Sequence, residues 1–384
     1  MDNIAGSKSS LTWAVHISVA LLVALWLFPT VGLFVSSFRT ADQISSSGWW
    51  ASMFAAEQNE VYRTADPDGT RVADGDMFVV SGNIFEAGLE GRSISRWGTS
   101  SRDVSAYAVG ETADMGDGET MVLEADGSYE WRGTDDQISG RGQRIFATVT
   151  APPDFTTENY ETVLLSGNNT DNMAKAFYST LTVTIPATII PIVIAAFAAY
   201  ALAWMDFPGR ALLIACVVGL LVVPLQLALI PLLKLHLGIG IGKGYLGVWL
   251  AHTGFGLPLA IYLLRNYMVG LPRDIIENAK VDGATDFQIF TKIILPLSFP
   301  ALASFAIFQF LWTWNDLLVA RVFLIDSSGT TTVMTSQIVE LLGTRGGNWE
   351  ILATAAFVSI AVPLVVFFAM QRYLVRGLLA GSVK

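Results

Sequence analysis

Residue types that do chemistry are scarce in this chain and poorly spaced for catalysis. His16, His236 and His252 stand alone, with no H-x-x-x-H pair, and Cys216 is the single cysteine. A metal set is therefore not expected, and an intrachain disulfide is impossible. The run GIGIGKG over Gly238–Gly244 lacks both the spacing and the hydroxyl residue of a phosphate-binding P-loop. No Ser-His-Asp arrangement can be nominated. What remains is LPRDIIENAKVDGATDFQIFTKIILPLSFP, Leu271–Pro300, a polar stretch between two apolar runs. Its charges, Glu277, Lys280 and Asp282, suit contact with another protein better than bond breaking.

The elements that must hold those charges follow from their neighbours. Pro272 suits the first turn of a helix, with Asp274 and Glu277 near the positive end of its dipole. Gly283 supplies the left-handed residue on which a helix often ends, and Ala279 leaves room for a close approach. Thr285 with Gln288 reads as a capping box opening a second helix. The spacing predicts a helix-turn-helix bracket fixed to the end of a membrane span, a device for coupling.

Composition agrees with a membrane setting. Of 384 residues 52% are hydrophobic and 15% charged, with mean hydropathy +0.50. Six apolar runs, Leu11–Val35, Phe177–Met205, Ala211–Leu233, Tyr245–Met268, Ile294–Leu324 and Ile351–Tyr373, are each long enough for a hydrocarbon core of about 30 Å. The first could instead be a cleaved leader, but it is longer than a leader core and no small-x-small site closes it. Pro186, Pro191, Pro224, Pro231, Pro258 and Pro363 lie within the runs, as bends near a pathway or as packing kinks.

Acidity is confined to one block. Residues 41–172 hold 23 of the 33 Asp and Glu against 8 Lys and Arg. Met77–Val80, Met121–Glu124 and Arg144–Val149 read as strands, and Asp126-Gly127 as a two-residue hairpin turn. Ile44–Thr150 is thus expected to form a small, mostly β domain, a loosely folded acidic loop being the alternative. No calcium-loop spacing occurs, and no basic patch supports nucleic-acid binding. The expected fold is an all-α polytopic membrane protein of six transmembrane helices with a mostly-β insertion after the first. Its parts are 1–40, 41–150 and 151–384, with the bracket at 271–296.

Charge also gives an orientation. With the amino terminus inside, inner segments carry Lys8, Arg210, Arg265, Arg273, Lys280, Lys292, Arg372, Arg376 and Lys384, and short outer loops only Lys234, Lys243, Arg321 and Arg345. Both termini and the bracket are then cytoplasmic, and the acidic domain and the Asp326–Glu350 loop periplasmic.

Glu277, Ala279, Gly283, Ile293, Leu295 and Pro296 stand at the spacing of the EAA loop of binding-protein-dependent ABC importers, with Asn278 departing from its second position. Phe155–Leu164, Ala198–Arg210, Trp314–Phe323 and Gln371–Lys384 also resemble sugar-importer permeases of the maltose type. The acidic insertion is similar to that of the α-glucoside branch, which handles sucrose, maltose and trehalose. The resemblance implies the type I importer permease fold in a bacterial inner membrane. It also implies a second permease as heterodimer partner, an ATPase dimer and a periplasmic sugar-binding protein. The chain itself then binds no cofactor; ATP and magnesium belong to the ATPase. Glu277, Ala279, Lys280, Asp282, Gly283, Ile293, Leu295 and Pro296 become the coupling residues, Glu277 and Asp282 its polar contacts. The outer loop Thr330–Trp349 resembles one that reaches the binding protein, and Gly381–Lys384 a tail against the ATPase. A sugar is held by hydrogen bonds and aromatic stacking, which nominates Gln226, Gln309, Trp312, Asn315 and Asp316. Helix-helix hydrogen bonds and an interfacial aromatic belt are the alternative roles for these residues. A polyol or sugar-phosphate importer, or a membrane-anchored sensor, are the other functions left open.

Overall fold

The computed structural model describes residues 10–85, 91–165, 173–324, 331–344 and 346–379, with side chains through 373, in two compact units. The first unit runs to Asn159 and includes Asn348–Ala353. It starts with α1 (Ser10–Ser36), which carries Pro29 without breaking. Thr40 and Gln43 form a capping box on α2 (Ala41–Ser46), and a 3₁₀ turn follows at Trp49–Ala51.

Then come β1 (Ala56–Arg63), the single turn α3 (Pro67–Thr70), β2 (Val72–Asp74), β3 (Met77–Asn83), β4 (Ser93–Gly98), β5 (Tyr107–Ala108), β6 (Thr112–Gly116), β7 (Glu119–Leu123), β8 (Ser128–Gly133) and β9 (Arg144–Ala151). They make two antiparallel sheets, ordered β1-β9-β4-β5 and β2-β3-β8-β7-β6. Alternation drives this packing: along β9 the buried residues are Ile145, Ala147, Val149 and Ala151. Trp97, Met121, Leu123, Trp131 and Ile145 belong to one cluster drawn from both sheets. The turn after β7 is wider than the two residues read from sequence. Gly127 N–H donates to Glu124 O and Glu124 N–H to Ser128 O, so Ala125, Asp126 and Gly127 form a three-residue loop. Gly127, at φ +83°, supplies its left-handed residue.

The second unit is helical. α4 (Glu158–Leu165) leads into α5 (Met173–Trp204), α6 (Arg210–Leu220), α7 (Leu225–Gly238), α8 (Tyr245–Val269) and α9 (Arg273–Val281). Next are α10 (Asp286–Ile289), a π turn at Phe290–Ile294, α11 (Leu295–Leu297), α12 (Phe299–Trp314), α13 (Leu318–Phe323), α14 (Met334–Thr344) and α15 (Trp349–Leu379). Among the described residues four helices, α1, α5, α8 and α15, are each long and apolar enough to cross a membrane, or up to six if each of two bent pairs counts as one span.

Those bent pairs correct two of the continuous runs expected from sequence. Ala211–Leu233 is broken between α6 and α7, which meet at 110°. Pro224 causes this: it has no N–H to donate and biases Val223 away from helical geometry. Ile294–Leu324 is broken at Ser298, between Pro296 and Pro300, with a 70° bend, and again after Trp314. Ala195, Ala196, Ala199 and Ala203 of α5 are buried in the same cluster as Ala260 and Leu264 of α8, small side chains that let helices approach closely.

Candidate functional site: a coupling bracket and a polar seam

The bracket is built as two locked turns. Pro272 occupies the cap of α9, one position before the first-turn place expected for it. At the other end Gly283, φ +84°, closes the helix with paired bonds: Gly283 N–H to Lys280 O and Ala284 N–H to Ala279 O, both 3.0 Å. Thr285 then caps α10, its N–H donating to Gln288 Oε1 at 2.9 Å and its Oγ1 accepting from Gln288 N–H at 3.3 Å. Lys280 Nζ lies 3.7 Å from Asp286, which also accepts from Tyr200 Oη at 3.2 Å, tying the bracket to α5.

Its two faces differ. Ile276, Ile289, Phe290 and Ile294 are buried in one cluster with Tyr200, Leu264 and Met268, and Ala279, Ile293 and Leu295 pack against it. Ala279, Ile293 and Leu295 therefore face the chain's own core, so the room expected at Ala279 is filled from within. Glu277, Lys280, Asp282, Gly283 and Pro296 are exposed, as is Asn278. Beside them stand two apolar side chains that sequence reasoning passed over, Val281 at 86% and Phe287 at 65% exposure.

The nominated pathway residues separate into two groups. Gln226, Trp312 and Asn315 are exposed, and Trp312 lines a cavity of about 620 Å³ with Leu220, Leu225, Phe255 and Pro258. Asn315 Nδ2 donates to Leu311 O at 2.8 Å. Gln309 and Asp316 are joints, Gln309 buried and the Asp316 side chain 8% exposed. Gln309 donates to Ala187 O at 3.1 Å, and its amide leaves no room for a side chain at Gly256, where a Cβ would lie 2.6 Å from Gln309 Oε1. Asp316 accepts from Val319 N–H and Ala320 N–H at 3.3 and 3.0 Å, capping α13, and its Oδ2 is 3.7 Å from His252 Nε2.

His252 corrects the reading of the histidines as isolated. It is 3% exposed and faces a carboxylate. With Gln309 Oε1 and the hydroxyls of Thr184, Thr188 and Thr313, its Nε2 has no hydrogen-bond partner among the described residues. Thr184 and Thr188 flank Ala187 on α5, His252 precedes Gly256 by one turn of α8, and Thr313 follows Gln309 by one turn of α12. A polar seam thus joins three helices. An ionisable residue inside an apolar run was the signal for His252.

The family described as binding-protein-dependent transport system inner membrane component matches residues 167–379. That covers the bracket, the seam and every helix from α5 onward. The chain belongs to this family. It is a membrane transport subunit and not an enzyme. Among relatives, the chain is 59% identical to the alpha-glucoside transport system permease protein AglG of Rhizobium meliloti, over 98% of both chains. It is 59% identical to the osmoprotective compounds uptake permease protein GgtD of Synechocystis, over 59% of this chain and 74% of that one. The trehalose transport system permease protein SugB of Mycobacterium tuberculosis is 34% identical over 61% of this chain and 84% of its own.

In this permease the segment expected as an outer loop, Thr330–Trp349, is largely the helix α14, with Met334, Ser336 and Leu341 buried. Thr330 and the tail Gly381–Lys384 lie outside the described residues.

Proposed function

We propose that this permease moves an α-glucoside such as sucrose, maltose or trehalose across the inner membrane by alternating access, driven by a separate ATPase. The bracket carries the reading. Its inner face is fused to the cluster that holds α5 and α8 together, while its outer face presents Val281 and Phe287 beside Glu277 and Asp282. A groove on an ATPase subunit would take the two apolar side chains, and movement of that groove would reach the spans without loss in a hinge. ATP and magnesium stay with the ATPase dimer. Trp312, over its cavity, is the stacking face for sugar, and the exposed Gln226 and Asn315 are the amides that would hydrogen-bond it; Gln309 and Asp316 act by holding helices.

The substrate class rests on AglG. A match over 383 residues includes the acidic insertion, whereas the GgtD match reaches 228. The rest of the assembly follows the same reading: six spans with each bent pair counted once, both termini cytoplasmic, the insertion periplasmic, a second permease as heterodimer partner and a periplasmic sugar-binding protein. The test is to purify the permease with its companions, reconstitute them in liposomes and follow ATP-dependent uptake of labelled sucrose, maltose and trehalose. Uptake of at least one, with stimulated ATP hydrolysis, is expected. Uptake of a polyol-type osmoprotectant and none of the three sugars would move the substrate to the GgtD class.

A further inference from the structure

Just after α1 the chain turns back on itself. Asn159 Nδ2 donates to Ser37 O and Arg39 O at 3.0 and 2.9 Å, and the buried Arg39 donates to Gln43 O and Ser47 Oγ, both at 2.6 Å. This knot aims the next segment down the side of the helix. Trp49 then lies on α1 at Gly32, where a Cβ would come within 2.6 Å of its Nε1. Its ring centroid is 4.5 Å from that of Phe28, and the Trp50 centroid is 6.4 Å from it. Gly32 and Phe28 precede the end of α1 by four and eight residues, so the indoles sit about 6 to 12 Å back along a membrane-spanning helix.

What this segment exposes is apolar. Trp50, Met53 and Phe54 are 68%, 71% and 71% exposed, and residues 44–56 carry no charge. Such a surface facing water would be costly. It is continuous with exposed Phe28, Val31 and Phe34 on α1, itself apolar enough to cross the bilayer. We infer that Gly48–Phe54 is an aromatic foot inserted into the bilayer interface, which holds the β insertion at the membrane surface. Its partner is the boundary between lipid headgroups and acyl chains, where tryptophan is favoured and where interfacial segments bury their apolar face by roughly 5–10 Å.

The test uses the full chain in nanodiscs of phosphatidylethanolamine and phosphatidylglycerol. Cys216→Ser removes the native thiol, and Met53→Cys or, as control, Asp68→Cys on the exposed turn α3 accepts a nitroxide. At position 53, collisions with oxygen should exceed those with a water-soluble nickel chelate several-fold, with the reverse at position 68. If the label at 53 behaves like the one at 68, the foot stands in water and the inference fails. If it is shielded from both reagents while 68 remains open, protein covers the segment, and lipid is equally ruled out.

Discussion

In the β insertion, the buried indoles find partners nearby: Trp97 Nε1 donates to Ala108 O at 3.0 Å and Trp131 Nε1 to Glu119 Oε1 at 2.7 Å, and among the described residues Gln58 Oε1 is the buried side-chain atom there without one. In the helical unit, Thr184, Thr188, Trp204, His252, Gln309 and Thr313 each bury a polar atom without a hydrogen-bond partner among the described residues. A domain in water must complete its own polar pairing to be stable, since each buried unpaired group costs about 1–3 kcal/mol. A helical unit that changes conformation or joins another chain can keep groups whose partners come from elsewhere. The insertion is thus close to a finished domain, and the helices are arranged to be completed.

The largest effect should come from breaking the finished domain. A Cβ at Gly98 would sit 2.3 Å from the backbone oxygen of Asp103, a main-chain atom that cannot swing aside as the end of a side chain can. Gly98→Val is expected to cost about 3 kcal/mol or more. Limited proteolysis in membranes should then cut the insertion while α5 to α15 remain protected. Loss of the helical unit as well would show that damage to the insertion spreads to the helices.

Next in size is the bracket. Nothing lies within 4 Å of a Cβ built on Gly283, so a side chain there meets open space. The penalty is in the backbone: a β-branched residue at φ +84° costs about 1–3 kcal/mol and favours another path for the chain between α9 and α10. Gly283→Val should leave the amount of permease in the membrane unchanged and lower sugar uptake by about tenfold or more, while ATP hydrolysis continues. Normal uptake would remove the bracket from the coupling path.

The bracket was legible because its signals are local. Thr285 with Gln288, and Gly283 at the end of α9, act within four residues, and the structure places both as read. Of the strands, the reading Met77–Val80 falls within β3 (Met77–Asn83) and Arg144–Val149 within β9 (Arg144–Ala151). The bend between α6 and α7 was hidden because proline within a membrane run can kink a helix or end it, and packing decides which. The approach of His252 to Asp316 was hidden for another reason. They are 64 residues apart, and which faces of α8 and α12 meet is set by the small residues between helices, as at Gly256.

A smaller effect sharpens the contrast at the seam. Gln309→Leu keeps a similar volume, deletes the bond to Ala187 O and removes one unpaired oxygen. The two changes oppose each other, so stability should shift by no more than about 1 kcal/mol. Uptake should fall further than stability if the amide serves a second conformation. Equal, small changes in both would make Gln309 an ordinary packing joint.

The smallest effect lies at the hairpin tip of the insertion. Ser128, through its hydroxyl and its N–H, donates to Asp126 Oδ1, and these bonds hold the Asp126 pKa below its ordinary value of 3.8. A depressed carboxyl contributes stability that is present above the unfolded value and disappears as pH falls through the folded one. Protection of the Glu124–Ser128 amides against hydrogen exchange, corrected for intrinsic rates, should therefore be constant from neutral pH down to about 4 and decline below it. Asp126→Asn should flatten that decline and change little at pH 7, because the amide oxygen can still accept from Ser128. Asp126 is fully exposed, so water competes for the carboxylate and the difference should be slight. A large loss of protection at pH 7 in the Asn variant would mean that the charge organises this turn, and that the finished domain depends on its acidic surface as well as on its core.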